Sequence, residues 1–156
     1  MSLTLRLLQS SDADADADAD AVSGLLPDLG YEATPGQVAR RLAGIREWPD
    51  QEAFVAELDG AIVGLCHVQG VRMLISDGYA EIQALVVSAE CQGQGIGKRL
   101  VAHACEWAFA RGYERVRLRS NVVREAAHAF YEHLGFAKSK ASHAFELYRP
   151  EPPSRS

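Results

Sequence analysis

Residues 91 to 97 read Cys91-Gln92-Gly93-Gln94-Gly95-Ile96-Gly97, three alternate glycines between a hydrophobic run, Ile82 to Val87, and an amphipathic stretch. Glycine admits positive φ and removes the side chains that would keep a ligand off the amide N–H groups. The first turn of a helix starting there adds unpaired N–H donors and the positive end of the helix dipole. A phosphate seated on such a turn gains about 0.3 to 1 kcal/mol from the dipole alone. Spacing excludes two common phosphate patterns. In GxxxxGK[ST] the first glycine would be Gln92 and the residue after Lys98 is Arg99; in GxGxxG the third glycine would be Lys98. What the residues do spell is QxxGxG, at Gln92, Gly95 and Gly97.

A second constellation lies downstream. Asn121, Ala126, Ala127, Phe130, Tyr131, Leu134, Gly135 and Phe136 read NxxxxAAxxFYxxLGF. Helical spacing puts Ala126, Ala127, Phe130, Tyr131 and Leu134 on one face, with Gly135 as the left-handed residue that ends the helix. Alone, this is also the pattern of a plain core helix. The two segments together, in this order, resemble the acyl-CoA pyrophosphate loop and the second signature of the GNAT superfamily of N-acyltransferases. The resemblance runs from about Phe54 to Leu147 and is strongest from Glu81 to Phe136.

The resemblance implies an acetyl-CoA-dependent N-acetyltransferase, with the cofactor held by Leu85, Val86, Val87, Gln92, Gly93, Gln94, Gly95, Ile96, Gly97, Lys98, Asn121 and Tyr131, and no metal. It implies direct attack of an amine on the thioester, which needs a neutral amine, a stabilised oxyanion and a proton for the departing thiolate. Tyr131 stands where the family commonly places the general acid; a phenol, with a reference pKa of about 10, lies near an alkyl thiol. Its other reading is a packed tyrosine beside Phe130. Glu81 precedes Gln92 by the same interval as the base glutamate of the histone-acetylating branch, and its other reading is an exposed strand residue. The oxyanion donor is expected to be a backbone N–H near Val86. Asn121 matches an asparagine that bonds the cofactor arm, or is an ordinary turn residue. Cys91, beside the loop, raises the alternative of an acyl-cysteine intermediate, which the family does not use.

Composition narrows the class. A chain of 156 residues, close to half hydrophobic, suits a single domain, 1–156, with a real core. No run of 18 apolar residues appears, and no basic region leads into an apolar stretch at the start, so a cytoplasmic protein without a membrane partner is expected. The three cysteines, Cys66, Cys91 and Cys105, show no CxxC spacing, against a disulfide framework or a zinc site. The net charge of −5 is carried by Asp12, Asp14, Asp16, Asp18 and Asp20, leaving the rest neutral and without the basic patch that nucleic acid needs. The Asp-Ala repeat itself, 12–21, lacks the Gly and Glu of a calcium loop and is expected to be a solvated extension. The five histidines show no ligand spacing.

The elements that must position these residues follow from period and turn chemistry. Leu3 to Gln9 suggests a first strand. Thr34-Pro35-Gly36-Gln37 is a helix start with a capping box, and the helix should reach about Ile45. Phe54–Leu58 and Ala61–Val71 are strands joined by Asp59-Gly60, a two-residue hairpin signal. Tyr79–Val87 is a strand. Ile96, Leu100, Ala104, Trp107 and Ala108 line one face of a helix ending at Gly112. Arg115 to Ser120 alternates Val116 and Leu118 with arginines, as a strand with one solvated face would. A helix, Glu125 to Leu134, precedes two short strands near Ala137–Ser142 and Ala144–Tyr148. Period alone gives α/β or α+β; the resemblance implies a mixed, mostly antiparallel sheet of about seven strands flanked by about four helices.

The expected function is acetyl transfer to a primary amine of a small molecule, bound near Val22 to Trp48, including Tyr31 and Trp48, and near Lys138 to Leu147. The alternatives are a protein N-terminus or lysine as acceptor, and a non-catalytic acyl-CoA-binding regulatory module. Homodimers are common in the family, and no residue pattern here demonstrates one.

Overall fold

The computed structural model of the chain describes residues 2–8, 24–25, 32–119 and 125–150. They fall into two compact units, one ending at Arg119 and the other following it. In the first unit the order is β1 (Leu3–Leu7), α1 (Pro35–Glu47), β2 (Gln51–Leu58), β3 (Ala61–Val71), β4 (Tyr79–Val87), α2 (Ile96–Ala110) and β5 (Val116–Leu118). The second unit holds α3 (Glu125–His133). The strands form one sheet in the order β1-β2-β3-β4-β5, antiparallel except for the parallel β4–β5 pair.

Local chemistry sets the ends of these elements. Thr34 caps α1 by accepting from the Gln37 amide, Gln37 returns a bond to the Thr34 amide, and Pro35 occupies the first turn. Asp59 and Gly60 both take positive φ, 52° and 86°, as the right-handed twist of a two-residue hairpin requires. α2 stops at Gly112 and α3 at Gly135, both left-handed, at φ 93° and 100°.

The sheet is covered on both faces. On one, Val38 and Leu42 of α1 pack with Leu8, Leu25, Val55, Leu65 and Val86. On the other, α2 buries Leu100 and Ala104 completely, and Gly64 admits Leu100, whose Cδ1 would lie 3.0 Å from a Cβ at that position. Glu52 and Phe54 face α2 as well, against His103, at 2.9 Å (Oε2 to Nε2) and 4.2 Å between ring centroids.

The sheet departs from expectation at the C-terminal end. Five strands and three full helices lie among the described residues, against about seven and four expected, and residues 136–150 form no strand. Ala137 to Pro150 contains no Val, Ile or Thr, so little local β preference supports pairing there. Phe145, Leu147 and Tyr148 are exposed. The mixed α/β class itself stands. The Asp-Ala repeat, Tyr31 and Asn121 lie outside the described residues.

Candidate functional site

β4 is longer than its parallel neighbour. β5 pairs with it only from Ala80 (opposite Val116) to Ile82 (opposite Leu118), while β4 runs on to Val87. Along that further stretch β3 still pairs on the other side, Leu65 opposite Val86 and Gly64 opposite Val87. The Ser88 amide donates to the Val63 carbonyl at 2.8 Å, which fixes the alternation of the ladder. Val86 therefore points its N–H at β3, and Leu85 and Val87 turn their N–H and C=O groups to the edge that β5 does not cover. Sequence reading centred the backbone donor near Val86; the ladder assigns edge-facing donors to the residues on either side.

This edge leads into the glycine loop. A short 3-10 turn, Ala89–Cys91, is closed by the Cys91 amide donating to the Ser88 carbonyl. Gln92 leans back, its Nε2 lying 3.5 Å from the Val87 carbonyl. Gly93 and Gly95 take φ 85° and 80°, conformations L side chains adopt at a cost, and a Cβ at either would meet nothing within 4 Å. Gly95 is the N-cap of α2 and makes no side-chain cap, and the first helical bond is Arg99 N–H to Gly95 C=O. The amides of Ile96, Gly97 and Lys98 thus lack intrahelical acceptors and sit at the positive end of a 15-residue helix. Gln94 and Lys98 are exposed. Such a surface can hold an anion on the loop and an extended, amide-bearing chain along the edge.

Glu81 lies further back on β4, opposite Gln69 of β3 and Arg117 of β5. Gly70, the neighbour of Gln69, faces the side of the sheet that carries α2, because its Cβ would collide with Tyr113 just beyond that helix. Gln69 and Glu81 therefore face the opposite side, shared with Leu65 and Val86. The register skips Gln83, a bulge that separates the part of β4 paired with β5 from the open edge. Glu81 Oε1 is 3.4 Å from Arg119 Nε, and Oε2 accepts from Gln83 Nε2 at 3.3 Å.

On the same face His67 meets Gln51. Gln51 Nε2 donates to the carbonyls of Ile45 and Trp48, which leaves Oε1 to accept from His67 Nε2 at 2.9 Å. Burial holds the pKa of this ring below the usual histidine value. Trp48, an expected acceptor-site residue, is largely exposed and borders a cavity of about 220 Å³ with Leu42, Ile45, Arg46 and Gln51. In the second unit Tyr131 is half-buried and packs edge-on to Phe130 and Phe136, with centroids 5.4 and 6.2 Å away. Sequence reading took the arginines of β5 for a solvated face and gave Tyr79 no role beyond opening β4. Arg115 and Arg117 lie over the Tyr79 ring, at 5.3 and 5.0 Å. Among the described residues no cluster of His, Cys, Asp and Glu could hold a metal.

A model of the Acetyltransferase (GNAT) family matches residues 23–136. The chain belongs to the GNAT family. This family uses acetyl-CoA as co-substrate. Uncharacterized N-acetyltransferase YjgM of Escherichia coli (strain K12) is 30% identical over 113 residues, covering 72% of this chain and 66% of that protein. N-acetylaspartate synthetase of Homo sapiens is 35% identical over 94 residues, 60% of this chain, and the chain spans only 30% of that relative's length. A putative acetyltransferase from Agrobacterium tumefaciens str. C58 superposes with a TM-score of 0.79 at 27% identity, over 92% of this chain and 99% of the other. AAC(6')-Iy, solved in complex with the bisubstrate analog CoA-S-monomethyl-acetylneamine, shares the fold at TM-score 0.79 and 14% identity, over 96% of this chain and all of that one. GNAT membership thus agrees with the resemblance carried by the loop and the FYxxLGF helix.

Proposed function

We propose that the chain is an N-acetyltransferase that passes the acetyl group of acetyl-CoA to a primary amine of a small molecule, by direct attack in a ternary complex. The observation that carries this reading is the continuity of the open β4 edge, the glycine loop and the uncapped start of α2. That donor set fits acetyl-CoA: space stands above Gly93 and Gly95, and three helix amides await an anion. The amides of Ile96, Gly97 and Lys98 hold the diphosphate, with Gln92 and Gln94 flanking it. Leu85 and Val87 hold the amide-bearing arm as an added strand would be held. Acetyl-CoA supplies the thioester carbonyl that the amine attacks.

Glu81 takes the proton of the incoming amine, directly or through water, as the nitrogen–carbon bond forms. An edge amide at Leu85 or Val87 stabilises the negative charge that develops on the carbonyl oxygen. Tyr131 gives its phenolic proton to sulfur as the carbon–sulfur bond breaks. A small acceptor is supported by relatives whose names specify one, N-acetylaspartate synthetase among them.

Release of free CoA thiol, measured against polyamines, aminoglycosides, amino acids and short peptides, tests the reading. Release that depends on a small amine supports it. Release with peptides alone moves the acceptor to a protein, and tight acetyl-CoA binding without turnover on any amine leaves a regulatory module.

A further inference from the structure

β5 and the residues beside it carry an arginine at every second position, Arg115, Arg117 and Arg119. Alternation sends these side chains to one face, the face of Glu81, since Arg117 stands directly opposite Glu81 in the parallel register. Arg119 is engaged by Glu81. Arg115 and Arg117 are engaged differently: both guanidinium groups lie over the single ring of Tyr79. Among the described residues neither has a carboxylate within ion-pairing distance. Tyr79 is only 6% exposed, so the ring is a fixed platform.

Attraction to the ring holds each cation in place but does not neutralise it. An anion that reaches both supplies the missing counter-charge. Guanidinium groups present planar forks of N–H donors that match a carboxylate in two-point contact. The strand spacing of about 4.8 Å puts that anion within a few bonds of anything Glu81 can reach. Arg119 pairs with the recessed carboxylate of Glu81, and two further guanidinium groups on the same face lack an acid partner among the described residues, an arrangement suited to a ligand with an ammonium at one end and an acid at the other.

We infer that Arg115 and Arg117, held on Tyr79 beside Glu81, bind a carboxylate of the acceptor, so that the acceptor is an amino acid rather than a neutral amine. This rests on the acetyl-transfer reading above and names the substrate class of that same site. The carboxylate seats on the two forks, and the amine is then presented to Glu81.

The test compares acceptors that differ only in charge, using the full chain and CoA-thiol release. L-aspartate and L-glutamate are run against their diamides, simple alkylamines and a phosphorylated amino sugar. The free acids should exceed their amides in kcat/KM by about 10- to 100-fold, the range expected for charge-assisted hydrogen bonds. Arg117→Gln and Arg115→Gln should raise KM for the acids by a similar factor and leave KM for acetyl-CoA unchanged, which also shows that the variants are folded. Arg117→Lys, which keeps the charge and loses the fork, should fall between. Equal use of acids and amides, an equal loss on charged and neutral amines in the variants, or preference for the phosphorylated amine would overturn the inference. Turnover confined to neutral amines refutes it while leaving acetyl transfer intact; no turnover with any amine refutes both.

Discussion

Glu81 and Arg119 form an ion pair, Oε1 to Nε at 3.4 Å, in which the carboxylate side chain is 14% exposed and the guanidinium 63%. The acid is recessed on the sheet while its cation reaches into solvent. Under the proposed mechanism an incoming ammonium takes the place of Arg119 at this carboxylate. Replacing Glu81 by Gln should lower turnover by about 100- to 10,000-fold with acetyl-CoA affinity little changed. Unchanged turnover would take Glu81 out of the mechanism.

The glycine loop is the second lever. Gly95 sits at φ 80°, where an alanine costs about 1 to 2 kcal/mol. Gly95→Ala adds a methyl group in open space, so the fold should tolerate it while the amides of α2 lose their alignment. Calorimetry should show acetyl-CoA binding weakened by about 10-fold. Unchanged affinity would place the diphosphate elsewhere.

Gly64 tests how the loop is supported. A methyl group there would meet Leu100 Cδ1 at 3.0 Å and both Ala56 Cβ and Ile96 Cγ2 at 3.4 Å. Leu100 is fully buried and Ile96 opens α2, so the strain passes to the start of that helix. Gly64→Ala should cost about 1 to 3 kcal/mol in urea unfolding. An unmoved midpoint would show that α2 can slide on β3.

His67 gives the protein an acid sensitivity of defined sign. Burial lowers its pKa in the folded state, whereas the unfolded chain takes a proton near the ordinary value of about 6.5. Below that value the unfolded state binds more protons, so this contribution to stability is complete above about pH 6.5 and is lost as pH falls toward the folded pKa. In His67→Gln the urea midpoint should depend less on pH between about 7 and 5. An identical slope in the variant would assign the acid sensitivity to another group.

Much of the molecule was legible where local chemistry acts alone. Thr34 and Gln37 announced α1, Asp59-Gly60 the first hairpin, and Gly112 and Gly135 the ends of two helices, because each needs only a cap or a positive φ. β2 begins at Gln51, earlier than expected, since Gln51 and Glu52 are polar residues held by long-range partners, His67 and His103. The strands expected after Phe136 are not formed, because alternation without β-branched residues is weak evidence for a ladder. In the candidate site, the loop could be read from its glycines. The bulge at Gln83, the outward amides of Leu85 and Val87, and the stacking of two arginines on Tyr79 all depend on strand register, which no local signal carries.

The most direct measurement follows the acetyl group itself. The protein is incubated with acetyl-CoA labelled in the acetyl carbons, with and without an amine acceptor, and protein and small molecules are then separated. Direct transfer predicts label on the amine, none retained by the protein, and no consumption when the amine is left out. Label fixed on Cys91, or acetyl-CoA bound and never spent with any amine, would contradict the account.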